Sequence, residues 1–278
     1  NFRELSRLVV DITLPALIIV SMQKDYSADT AMRSLTMLLA SSAIYAVTLV
    51  LVDFIPLLMR RLSPESRGVH RFGMSFSNVG FMGFPVAKAY LGAESLFDVS
   101  MYNRPFQGLA FSVGVWFIAP KQEGASKRSY SKLLLNPAIL SAVLGFGLFI
   151  LKIKLPAFAF SFLTIVGDMT TPLAMMIIGG ILSQNSLKEA VANLYNWITC
   201  AYRLIVFPLA LYGVLSLFGF ASLSVPVLIG AMPVAANTSM LAEVYGGDSK
   251  TASSLVFLST ILSAVTIPLL AWLLRLSY

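Results

Sequence analysis

The sequence predicts an all-α polytopic membrane protein with nine visible transmembrane helices, set out as a 5+5 inverted repeat in which two broken helices cross. Three observations predict it. Hydrophobic residues make up 57% of the 278 and charged residues only 12%, with a mean hydropathy of +0.81; a soluble domain carries roughly twice that charged share. Several apolar runs approach or exceed the ~20 residues that span a bilayer. Two of those runs, at matching places in the two halves, are interrupted by proline, glycine and asparagine. Paired interruptions of this kind point to a binding site near the membrane midplane.

The spans read, in order, Leu8–Met22, Ala31–Met59, Phe72–Leu91, Leu96–Ala119, Pro137–Leu151, Pro156–Ser183, Leu194–Phe218, Val225–Tyr245 and Thr251–Leu274. With the stretch before the first span taken as cytoplasmic, twelve lysines and arginines fall in inner loops and five outside. That bias sets orientation in an inner cell membrane and leaves the C-terminus extracytoplasmic. The basic loops Arg60–Arg71 and Lys121–Lys132 supply much of the net charge of +7, so topology explains it and no nucleic-acid partner is expected. Cys200 is the single cysteine and His70 the single histidine, which leaves neither a disulfide framework nor a histidine-rich metal centre.

Asp11-Ile-Thr-Leu-Pro15 recurs as Asp168-Met-Thr-Thr-Pro172, and Tyr90-Leu-Gly-Ala-Glu-Ser95 as Tyr245-Gly-Gly-Asp-Ser249, at nearly the same offset. A duplication follows. Residues 1–119 form the first repeat, 120–136 a basic cytoplasmic linker and 137–278 the second repeat. A complete span precedes Asp168 whereas ten residues precede Asp11, so the first repeat is expected to lack its opening helix. Five spans per unit is an odd number, which inverts the second unit relative to the first.

The first interruption is Asn78-Val-Gly-Phe-Met-Gly-Phe-Pro85 and the second Gly230-Ala-Met-Pro233-Val-Ala-Ala-Asn237-Thr238-Ser239. Backbone groups freed there must be satisfied by protein or by a water-filled cavity. Gly80 and Gly83 allow close approach, Pro85 and Pro233 remove donors, and Asn78, Asn237, Thr238 and Ser239 supply side-chain partners. Two half-helix amino ends aimed at one cavity suit an anion.

The stretches Asn78-Val-Gly-Phe-Met-Gly-Phe-Pro85-Val-Ala-Lys88-Ala-Tyr-Leu-Gly92 and Pro233-Val-Ala-Ala-Asn237-Thr-Ser-Met-Leu-Ala-Glu243-Val-Tyr-Gly-Gly247-Asp248 resemble the two crossover signatures of the auxin efflux carrier family, whose bacterial members are labelled malate or malonate permeases. The resemblance implies ten helices and the architecture of the bile acid:sodium symporters. It also implies a scaffold, here about 1–22 and 137–183, and a mobile core, about 31–119 and 194–278. Elevator-type movement and a homodimer formed through the scaffold are further implications.

Charged groups at membrane depth default to functional roles. Lys88 and Glu243 stand 155 residues apart, like the tyrosines beside them, and are expected at pseudo-symmetric places as ion- or proton-coupling groups. Asn103, Arg104 and Gln107 follow the first break; Arg104 pairs a substrate carboxylate, neutralises Asp98 or lies near an interface. Asp11 and Asp168 are expected to bond backbone freed by Pro15 and Pro172, and Asp53 to face a nearby arginine. Arg203, alone in its span, carries no assignment.

The expected function is secondary active transport of small organic anions, mono- or dicarboxylates or auxin-like acids, without cofactor or catalytic residue and with proton or sodium coupling left open. A non-transporting membrane ligand sensor of the same fold is the alternative. An intramembrane aspartyl protease fits poorly, because Ile165 stands where the glycine-x-glycine-aspartate signature before Asp168 needs its first glycine.

Overall fold

Proline and polar caps divide the apolar chain into helices, and the computed structural model places them. It describes residues 2–23, 28–54, 59, 61–118, 137–184, 187–219 and 224–273. The helices are α1 (Phe2–Leu8), α2 (Leu14–Ser21), α3 (Ala28–Phe54), α4 (Pro64–Ser75), α5 (Phe84–Leu91), α6 (Leu96–Leu109), α7 (Val115–Ile118) and α8 (Pro137–Ile150). They continue with α9 (Ala157–Asp168), α10 (Thr170–Gln184), α11 (Leu187–Ala192), α12 (Leu194–Ala201), α13 (Phe207–Leu217), α14 (Ser224–Gly230), α15 (Asn237–Tyr245) and α16 (Ser249–Leu273). The linker expected at 120–136 lies outside the described residues, as do the side chains of Gln107 and Glu243.

Among the described residues, four helices are long and apolar enough to cross a membrane: Met32–Phe54, Ala157–Ala174, Leu194–Leu217 and Ser249–Leu273. Asp11–Ser21 and Val79–Leu91 are shorter apolar helices. Phe158, Phe162 and Ile165 on α9 are exposed, an arrangement that lipid accommodates and water does not. The molecule is a helical membrane protein.

Several prolines are accommodated without breaking their helices. Pro15, Pro85 and Pro208 each follow by two residues a π-helical turn, at Val9–Thr13, Val79–Gly83 and Tyr202–Val206. In each, the residue before the proline donates to a carbonyl five positions back: Leu14 to Val9, Phe84 to Val79 and Phe207 to Tyr202. The wider turn relieves the clash a proline ring makes with the preceding turn of a regular α-helix.

Packing falls into two groups. Helix α2 lies against α8 and α9, and α1 against α10. Helices α3, α4, α6 and α7 pack together, with α12, α15 and α16 closing around α4. The groups touch through α2 and α8 on α6, and through α10 on the turn 79–83 and on α16. Gly167 is where α9 meets α2 closely: a Cβ there would sit 2.9 Å from the Leu17 backbone. Ser63 caps α4, accepting from the Ser66 amide at 3.2 Å, with Pro64 in the first turn. Helix α4 therefore starts well before Phe72, where the apolar pattern alone would begin it.

Candidate functional site

The two interrupted segments meet. Helix α4 ends at Ser75, and Phe76 is extended (φ −117°, ψ 118°). Helix α14 ends at Gly230 and the chain stays non-helical to Ala236. Ser77 and Val234 form an antiparallel bridge. The Asn78 amide donates to the Pro233 carbonyl at 2.8 Å, and the Ala235 amide donates to the Phe76 carbonyl at 3.2 Å. The Val234 amide turns to the Ser259 hydroxyl of α16 at 3.2 Å. Backbone opened inside an apolar protein thus finds partners in the opposite break.

Asn78 organises the first restart. Its side-chain oxygen accepts from the Phe81 amide at 3.2 Å, and its carbonyl accepts from the Gly83 amide at 2.8 Å. Asparagine suits this place because a short amide can cap an amino end. Its Nδ2 is buried with no hydrogen-bond partner among the described residues, in a residue 3% exposed. Across the bridge, the Thr238 hydroxyl returns to the Ala235 carbonyl at 2.5 Å, and the buried Ser239 hydroxyl has no partner among the described residues. Asn237 opens α15 and is partly exposed. Unpartnered polar atoms at two adjoining helix starts are the groups a polar ligand would complete.

The remaining candidates are distributed more widely. A Cβ on Gly83 would come 3.0 Å from Ile229 of α14, so this glycine serves the packing of one broken helix on the other. Gly80 faces Leu14 of α2, with a Cβ 3.8 Å away. Pro85 is buried at the start of α5, beyond the break itself. Asn103 is buried on α6 with its Oδ1 unpartnered among the described residues. Arg104 is partly buried, its Nη2 4.0 Å from the Met22 sulfur of α2. It does not neutralise Asp98, which Arg33 of α3 holds at 2.8 Å.

Lys88 has a partner the sequence did not suggest: its Nζ lies 2.8 Å from Asp168 Oδ1 at the end of α9. Asp168 therefore takes a lysine rather than backbone freed by Pro172. Asp53 pairs with Arg71, as its position near the basic loop implied. Asp248, in the connection before α16, accepts from the Ser66 hydroxyl and from the Thr251 amide and hydroxyl at 2.9 and 2.6 Å. Burial would raise its carboxyl, but these hydrogen bonds hold it below the ordinary carboxylate value.

Arg203, which the sequence left without an assignment, lies at the meeting of the two breaks. It is 1% exposed in the turn between α12 and α13, and its guanidinium spans both breaks. Nε donates to the Met232 carbonyl and Nη1 to the Met74 carbonyl, each at 3.2 Å. The Phe207 ring lies 4.8 Å from the guanidinium carbon, within cation–π range. The available signal was a lone cation in an apolar span, which marks function without naming partners.

Comparison with known proteins follows the same direction. The profile of the family described as "Membrane transport protein" matches residues 1–129 and 124–271. An "Uncharacterized transporter" of Methanocaldococcus jannaschii is 25% identical over 97% of this chain and 89% of its own length. Another from Methanothermobacter thermautotrophicus is 28% identical over 95% and 86%. A Rhizobium meliloti protein named "Putative malonate transporter" is 25% identical over 98% and 86%. The chain belongs to the membrane transport protein family, that of the auxin efflux carriers, and is a membrane transporter rather than an enzyme.

Proposed function

We propose that this protein is a secondary active transporter of small organic anions, mono- or dicarboxylates, and that the crossing of the two broken helices is its binding site. The observation that carries this reading is the bridge at Ser77 and Val234 beside the unpartnered Asn78 Nδ2. A carboxylate accepts hydrogen bonds and favours helix amino ends. Asn78, Asn237, Thr238 and Ser239 would bind it, with Asn103, Arg104 and Gln107 contributing from α6. Gly80, Gly83, Pro85 and Pro233 would shape the breaks. The name of the Rhizobium relative makes malonate the first substrate to try.

The movement is of elevator type in this reading, and the molecule a 5+5 inverted repeat with nine spans visible in this chain. The bridge joins residues 157 apart, the separation between Asp11 and Asp168, which supports pseudo-symmetry between the halves. The helices around α2, α8, α9 and α10 would form the scaffold and the dimer contact, and the remainder would carry the site. Lys88 would act through Asp168 at the boundary of these two bodies, with Glu243 on the other repeat.

Reconstitution tests the reading. Proteoliposomes loaded with the purified protein should take up radiolabelled malonate, or a related carboxylate, against its gradient when a proton or sodium gradient is imposed. Saturable binding without any flux would contradict transport and favour a sensor.

A further inference from the structure

A broken helix brings opposite partial charges together. The carboxyl end of its first half carries about half a negative charge and the amino end of its second half about half a positive one. An anion at such a break meets fields that largely cancel, and unwound carbonyls in transporters commonly hold a coupling cation. At this crossing the carbonyls are already taken. Met74 O would accept from the Asn78 amide in a continuous helix, but that amide donates to Pro233 O. The freed Met74 carbonyl and that of Met232, one from each break, both bind the Arg203 guanidinium. Among the described residues no carboxylate pairs with Arg203, and its hydrogen-bond partners there are these two main-chain oxygens. The side-chain Nδ2 of Asn78 is left as a buried donor without a partner among the described residues.

We infer that Arg203 occupies the place of a coupling cation at the crossing: it neutralises the carboxyl ends of both first half-helices and leaves the amino ends uncancelled toward an anion. It is a positioning residue, 1% exposed. Anion binding at the crossing is then independent of any metal cation bound to these carbonyls. The inference rests on the crossing being the anion site proposed above.

The test uses the full chain in lipid nanodiscs, with malonate as the probe and guanidinium as a small replacement cation. Wild-type affinity should be unchanged when sodium is replaced by choline. Arg203→Ala should bind malonate about tenfold or more weakly, and millimolar guanidinium should restore binding while leaving the wild type unaffected. Arg203→Lys, which keeps a charge, should bind more tightly than Arg203→Gln, which keeps donors without one; this pair decides the matter if the alanine variant fails to fold. Folded Arg203→Ala with wild-type affinity, equal losses in the Lys and Gln variants, or sodium-dependent wild-type binding would overturn the inference. Thermal stability gives a readout free of carboxylate: guanidinium should stabilise Arg203→Ala but not the wild type. A wild type that binds no carboxylate would remove the anion reading, while that selective stabilisation would still uphold the cation place.

Discussion

The two breaks that meet at the bridge solve one problem by different means. The first is short: three residues separate α4 from the π-turn, and the side chain of Asn78 caps the restart. The second is longer, running from Ala231 to Ala236, and α15 begins without a side-chain cap on its amino end. There Pro233 removes a donor, and the Thr238 hydroxyl closes the turn on Ala235. One restart is held locally by its own asparagine. The other depends on the opposite break, through the Pro233 carbonyl and the Ala235 amide. The two restarts therefore need not be equally stiff, and Asn78 is the stronger fixed point.

This contrast orders the expected effects of substitution. Asn78→Ala removes a cap and the proposed ligand donor together, so malonate affinity in the nanodisc assay should fall by about tenfold or more. Asn237→Ala, at the partly exposed start of α15, should lose clearly less. Equal losses would erase the proposed difference between the breaks.

Gly83 probes the contact between the broken helices. Gly83→Ala presses a methyl toward Ile229, and a destabilisation of about 1–3 kcal/mol is expected from such overpacking. Ile229→Ala should relieve it in a double-mutant cycle, because the two sites share one space. Additive losses would place the strain elsewhere.

Thr238→Val keeps the shape but deletes the hydroxyl that bonds the Ala235 carbonyl. About 1 kcal/mol of stability should go with it, read as a lower thermal midpoint, with the larger change on the second break.

The smallest effect on stability is expected at Lys88 and Asp168. Both side chains are partly exposed, and such pairs contribute little to folding. Their consequence should appear in flux instead: Lys88→Asp and Asp168→Lys should each slow malonate uptake, and the double exchange should restore part of it. A double exchange no better than the single variants would remove the pair from the transport cycle.

How far the sequence revealed these features depends on the kind of force involved. Proline and glycine inside apolar runs announce broken helices because their backbone effects are local. Asn78 was recognisable for the same reason, as a capping side chain beside an interruption. The bridge was not, since pairing between residues 77 and 234 is decided by tertiary packing. Arg203 stood out as a charge in lipid-like surroundings, yet its partners are main-chain carbonyls, and any residue type supplies a carbonyl. Lys88 invited comparison with Glu243 through their equal spacing from the tyrosines, whereas its partner is Asp168, brought close by the fold. Arg33 and Asp98 met in the same way, 65 residues apart. Periodicity also started α4 at Phe72, because its first turn is polar and is held by Ser63 and Pro64 instead of apolar burial.

The central claim is that an anion binds where the two broken helices cross, and site-directed protection tests it most directly. Cys200 is buried and is the single native cysteine, so Cys200→Ala supplies a background without thiols. Ser239→Cys in that background places a reactive group at the start of α15. Saturating malonate should slow its modification by a small thiosulfonate reagent, and Asn78→Ala should abolish the protection. An unchanged modification rate in a protein that demonstrably binds malonate would put the site elsewhere.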